Sequence, residues 1–131
     1  MPELVHPLRR SVFRGLRGLC PGCGAGRIFR AYLKVNEQCP TCALDLAHYP
    51  ADDGPAYVTI LLIGHLIVAP MLFFPIVWRA PAMYTAPIAL CSLTGLTLLA
   101  LPVIKGGWIG LMYALGVKDR DAALHTADAA D

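Results

Sequence analysis

The chain has 131 residues, 56% of them hydrophobic and 15% charged, with a formal net charge of +2. That length bounds it to one small domain and little more, and the balance moves it from ordinary soluble composition toward the membrane class. The small basic excess argues against a nucleic-acid binder, which carries a larger Arg and Lys surplus on its surface.

Residues 1–19 read as a basic amphipathic arm. Leu8, Val12, Gly15, Leu16 and Leu19 fall on one helical face, with Arg10, Arg14 and Arg17 opposite. Such a helix either lies on an anionic membrane surface or packs its apolar stripe on the domain that follows. No apolar run follows the arginines as in a secretory signal, and Pro2 stands where N-myristoylation requires glycine.

Residues 20–47 hold two C-x-x-C pairs, Cys20-Pro21-Gly22-Cys23 and Cys39-Pro40-Thr41-Cys42, fifteen residues apart. This is the spacing of a structural zinc ribbon. Two thiolates three positions apart on a tight turn reach one metal at about 2.3 Å, and a second such turn completes a tetrahedron. Gly24 permits positive φ after the first pair, whereas Ala43 holds the corresponding place after the second. The apolar residues between the pairs (Ile28, Phe29, Tyr32, Leu33, Val35) are too few for a core. A bound Zn²⁺ would add about 10–16 kcal/mol of apparent folding free energy. Two disulfides are the alternative, disfavoured in a reducing cytoplasm. With four cysteine ligands no position stays open for hydrolysis. Zinc makes the site structural, and iron, the less favoured metal, would make it a rubredoxin-like redox centre.

Residues 48–55 form a turn-rich linker. Asp52 and Asp53 suit an N-cap, with Gly54-Pro55 in the opening turn of a helix. Their functional alternative is a contact with lipid, metal or a partner, including a metal site built from His48, Asp52 and Asp53. The first transmembrane helix is expected over residues 56–78. It is free of formal charge, and at 1.5 Å per residue it is roughly 34 Å long against a hydrocarbon core of about 30 Å. His65 lies inside it, and an intramembrane ionisable residue is a functional candidate. A three-residue connection (Arg79-Ala80-Pro81) forces an antiparallel hairpin with a second uncharged span at 82–104. Gly64 with Ala69, and Gly95 with Ala100, offer small residues for helix packing. Cys91 reads as a packing residue. Residues 105–115 either extend the second helix or lie at the interface, where Trp108 and Tyr113 would sit among headgroups. Residues 116–131 read as a disordered tail.

Lys and Arg number seven before the first span, one in the hairpin loop and three after the second. The positive-inside rule then puts the metal domain and both termini in the cytoplasm.

The run from Cys20 to Phe29, then Tyr32-Leu33-Lys34-Val35, Cys39 and Cys42, Leu44-Asp45-Leu46, Asp52-Asp53-Gly54-Pro55-Ala56-Tyr57, Pro102 and Lys105-Gly106 together resemble a bacterial family, the domain of unknown function 983, over residues 18–115. The resemblance implies an inner-membrane protein and a part in assembling a respiratory terminal oxidase. The residues themselves contain no nucleophile–base pair or phosphate loop. The expected protein is therefore a non-catalytic zinc-binding accessory or adaptor of the inner membrane. Its partners are the lipid bilayer and a membrane protein complex, with no nucleic acid and no small-molecule substrate.

Overall fold

The computed structural model describes residues 7–49, 51 and 53–117. A short helix α1 (Leu8–Leu16) leads into a hairpin of two strands, β1 (Phe29–Ala31) and β2 (Lys34–Val35). A broken apolar helix follows, made of α2 (Asp53–Ile63), a π-helical turn (Gly64–Val68) and α3 (Ala69–Phe73). One-turn α4 (Pro75–Arg79) and the long α5 (Ala82–Leu115) complete the chain.

The apolar stretch expected as one helix over 56–78 starts earlier and stops sooner. It begins at Asp53, and Phe74 is extended, with φ −81° and ψ 119°. Pro75 is the cause, because its ring clashes with a helical residue before it. The Trp78 indole N–H donates to the Leu72 carbonyl at 2.8 Å, so α4 folds back over the end of α3. The π turn has a proline cause too. The Ala69 N–H bonds the Gly64 carbonyl five residues back, and Pro70 has no N–H with which to resume the α pattern.

The second expected span and residues 105–115 are one continuous helix of 34 residues, about 51 Å long. It passes through Pro87 and Pro102 and ends at Gly116, whose φ of +68° lets the Val117 and Gly116 N–H groups close back on Met112 and Tyr113. Pro102 deprives the Leu98 carbonyl of its helical donor, and the Tyr32 hydroxyl, from the β-hairpin tip, donates to that carbonyl at 2.5 Å. Lys105 Nζ donates to the Leu33 carbonyl at 3.1 Å. The hairpin tip is therefore fastened to α5 at two points.

The arm packs on α5, with Gly15 of its expected apolar face buried and Leu8 and Val12 half-buried. Its buried face is Ser11 and Gly15, while Phe13 and Leu16 are exposed. This face lies against Gly106, Gly107 and Gly110 of α5. A Cβ placed on Gly106 would come within 2.1 Å of the Gly15 carbonyl oxygen, and one on Gly110 within 2.4 Å of that of Ser11. Ser11-x-x-x-Gly15 and Gly106-x-x-x-Gly110 form a small-residue crossing in which backbone touches backbone. By contrast, a Cβ on Gly64 or Gly95 would meet nothing within 4 Å, and Cys91 is exposed. Gly64 and Gly95 thus face open space rather than the hairpin's own packing.

The core gathers Cys20, Ile28, Val35, Cys39, Leu46, Tyr49 and Ala51 around Ile109 of α5, with Trp108, Met112 and Tyr113 packed against it. Trp108 and Tyr113 are thus half-buried against this core. The Asp53-Gly54 turn explains itself here, since a Cβ on Gly54 would lie 2.6 Å from the Trp108 ring. That contact sets the start of α2 beside the end of α5, so the two run antiparallel. The helices over Asp53–Phe73 and Ala82–Leu115 are long and apolar enough to cross a membrane, and 6% and 0% of their most apolar windows are buried. The core helix of a soluble protein would be mostly covered.

Candidate metal centre

Two knuckles with nearly the same backbone carry the cysteines. In the first, the Cys20 N–H bonds the Gly26 carbonyl at 2.7 Å and the Gly24 N–H returns to the Cys20 carbonyl at 2.8 Å. In the second, the Cys39 N–H bonds the Leu44 carbonyl at 2.8 Å and the Ala43 N–H returns to the Cys39 carbonyl at 2.9 Å. Single β-bridges, Leu19 with Arg27 and Gln38 with Asp45, staple the two bases.

The four Sγ atoms all lie within 4.8 Å of one another. Cys20 to Cys42 and Cys23 to Cys39 are each 3.7 Å apart. A tetrahedron of sulfurs around one metal at about 2.3 Å has edges of about 3.8 Å. A disulfide would bring the atoms to about 2.05 Å, and all four cysteines are free thiols. The residues fit a single tetrahedral ion, and the expected disulfide alternative does not apply.

The surroundings favour thiolates unequally. The Gly26 and Ala25 N–H groups point at Cys23 Sγ, at 3.4 and 3.5 Å, and lower its pKa to about 6. Burial pushes Cys20 up to about 12, and desolvation also raises Cys42 although that residue is exposed. A divalent metal must therefore displace protons from Cys20 and Cys42 at neutral pH. Arg14 reaches from α1 to the Pro21 and Gly22 carbonyls at 3.2 and 2.9 Å. Its cation lies beside a site that would carry two net negative charges with four thiolates and a divalent ion.

Two backbone positions constrain the knuckles. Gly26 is one, since a Cβ there would stand 2.3 Å from Cys39 Sγ. Ala43 is the other, holding φ +56° where Gly24 holds +73°. A left-handed conformation costs an L-residue about 1–2 kcal/mol. Ala43→Gly is expected to stabilise the metal-loaded ribbon by about 0.5–1 kcal/mol after allowing for the extra freedom of glycine in the unfolded chain. Thermal unfolding of the loaded protein checks it, and an unchanged or lower midpoint would count against the strain.

Among the described residues, His48, Asp53 and His65 form no cluster with one another. His48 Nδ1 lies 2.5 Å from Asp45 Oδ2. His48 is thus turned to Asp45. Asp53 is the exposed first residue of α2, and Asp52 lies outside the described residues. His65 is on the exposed face of the π turn, with Nδ1 2.9 Å from the Leu61 carbonyl. Among the described residues, the cysteines form the one group of three or more metal-ligating side chains. The contributions of Gly26, Arg14, Tyr32 and Lys105 to holding this centre were not read from the sequence. Only the glycines carried a local signal, Gly26 beside a knuckle and Gly106-x-x-x-Gly110 as a packing motif.

Fold and site together define a four-cysteine knuckle domain seated on the end of an apolar helical hairpin. The sequence profile of a family described as Protein of unknown function (DUF983) matches residues 29–113, more than half of the chain, and the chain belongs to that family. The match takes in the second knuckle and both apolar helices and begins after the first knuckle. No curated protein and no solved structure matches.

Proposed function

We propose that the protein is a non-catalytic adaptor of the bacterial inner membrane, in which a zinc-filled knuckle domain is held rigidly on a two-span hairpin as a docking platform for a membrane protein complex. One observation carries this reading. The cysteine cluster shares its core with α5 through Ile109 and is tied down by Arg14, Tyr32 and Lys105. A site whose ligand positions are all thiolate offers no place for substrate, so what the metal supplies is shape. Zinc suits four thiolates in a tetrahedron and has no redox chemistry of its own. Elemental analysis of the purified protein is expected to give one zinc per chain and no visible absorbance. A red, iron-containing protein would instead establish the rubredoxin-like redox reading.

The lysine and arginine distribution supports cytoplasmic termini. A reporter active only in the cytoplasm is expected to work at either end, and activity of a periplasm-only reporter at the C-terminus would overturn the topology. The family resemblance supports a terminal oxidase as the client. Loss of assembled oxidase spectra in a deletion strain, restored by the gene in trans, tests that assignment.

A further inference from the structure

Among the described residues, the outward face of the first apolar helix carries two hydrogen-bond acceptors with no donor of their own. His65 Nδ1 lies 2.9 Å from the Leu61 carbonyl. A carbonyl only accepts, so Nδ1 holds the proton and, in neutral imidazole, Nε2 keeps its lone pair. The second acceptor is the His65 backbone carbonyl. The N–H four residues on, that of Ala69, is bonded to Gly64 instead. The residue five on is Pro70, which has none. Both acceptors sit about 18 Å along a helix of about 31 Å, near its middle.

This face forms a shallow trough of about 630 Å³ lined by Tyr57, Leu61, Gly64, His65 and Ala69, among others. A Cβ on Gly64 would meet nothing within 4 Å, so the approach is open. On the membrane-spanning reading above, on which this inference rests, no water reaches these acceptors. An unsatisfied polar group in hydrocarbon costs several kcal/mol.

We infer that the trough is the seam for a transmembrane helix of a different protein, which donates from a hydroxyl, amide or indole side chain to His65 Nε2 and to the His65 carbonyl. The occupant is not a second copy. A two-fold axis along the membrane normal would set His65 against His65, acceptor facing acceptor. Nor is it a small molecule. The trough runs from Tyr57 to Ala69, about 18 Å of open helix surface, whereas small-molecule sites enclose most of their ligand.

The test places a benzophenone amino acid at Leu61 in the full chain and irradiates intact membranes, with Leu99 on α5 as the control position. The expected result is one discrete adduct at position 61, larger than the chain by a second polypeptide other than itself, and no protein adduct at 99. The yield is expected to fall roughly three- to thirty-fold with His65→Leu, the worth of the one interhelical hydrogen bond to Nε2 that it removes. His65→Gln, which keeps an acceptor, is expected to retain the adduct, and Gly64→Leu, which fills the trough, to lose it. Zinc content and thermal midpoint of each variant report folding separately. An adduct of twice the chain's mass, one heavier by only a small molecule, no adduct, or one indifferent to His65→Leu would each overturn the inference. Alkaline carbonate extraction of the same membranes separates the two readings. A chain that stays in the membrane without forming the adduct loses only the seam, and a released chain loses the spans as well.

Discussion

Cys39→Ser is expected to yield a protein without metal in which residues 20–49 exchange their amides freely while the apolar helices remain protected. Cys39 is buried, and its sulfur is 3.7 Å from that of Cys23. Removing it takes one of four ligands from an ion whose binding contributes about 10–16 kcal/mol to folding. A ribbon this small has no comparable reserve, since whole domains are stable by only about 5–15 kcal/mol. Its strands are three and two residues long, and Ile109 is the one fully buried α5 residue in its core cluster. Gly26→Ala is expected to give the same loss with every ligand present, because the new Cβ would stand 2.3 Å from Cys39 Sγ. Metal analysis and hydrogen exchange on the two variants check this. A metal-free Cys39→Ser protein with protected ribbon amides would mean that packing on Ile109 suffices, and metal retained by Gly26→Ala would mean that the knuckles yield.

The other large effect is expected at the crossing of α1 and α5. Gly106→Val puts a branched side chain where even a Cβ would lie 2.1 Å from the Gly15 carbonyl oxygen, and the obstructing atom is backbone rather than a flexible side chain. Overpacking of this kind costs about 1–3 kcal/mol, which raises the open population of α1 roughly 5- to 150-fold. Because Arg14 bonds the Pro21 and Gly22 carbonyls, lifting α1 also removes its cation from beside the first knuckle. Trypsin cleavage at Arg14 and Arg17 is expected to accelerate by that factor. Gly95→Val, at a position facing open space, should leave the rate unchanged. Equal protection in both variants would show that the crossing tolerates a side chain.

The sequence by itself determined what depends on neighbours along the chain. Two thiolates three positions apart on a turn, repeated once, define a metal site before any fold is known, and the four sulfurs do gather. Runs of apolar residues without formal charge define helices that can cross a membrane. The end of the first helix was equally local, because Pro75 forces Phe74 out of the helix, although composition alone carried the expected span on to residue 78.

Only the tertiary structure decided the pairings between distant residues. Tyr32 and Leu98 are 66 positions apart, and their bond exists because Pro102 leaves a carbonyl open at the place where the hairpin tip arrives. The arm looked amphipathic from its leucines, but its close contact with α5 is made by Ser11 and Gly15, its two buried residues. Close approach of two backbones is favoured by the absence of side chains, which a hydrophobic pattern does not register. Gly54 has a similar reason, the Trp108 ring that lies against it. The metal knuckle and the helical hairpin were therefore legible as two parts. Their union into one body rests on glycines and carbonyl groups, whose contribution depends on what the fold brings beside them.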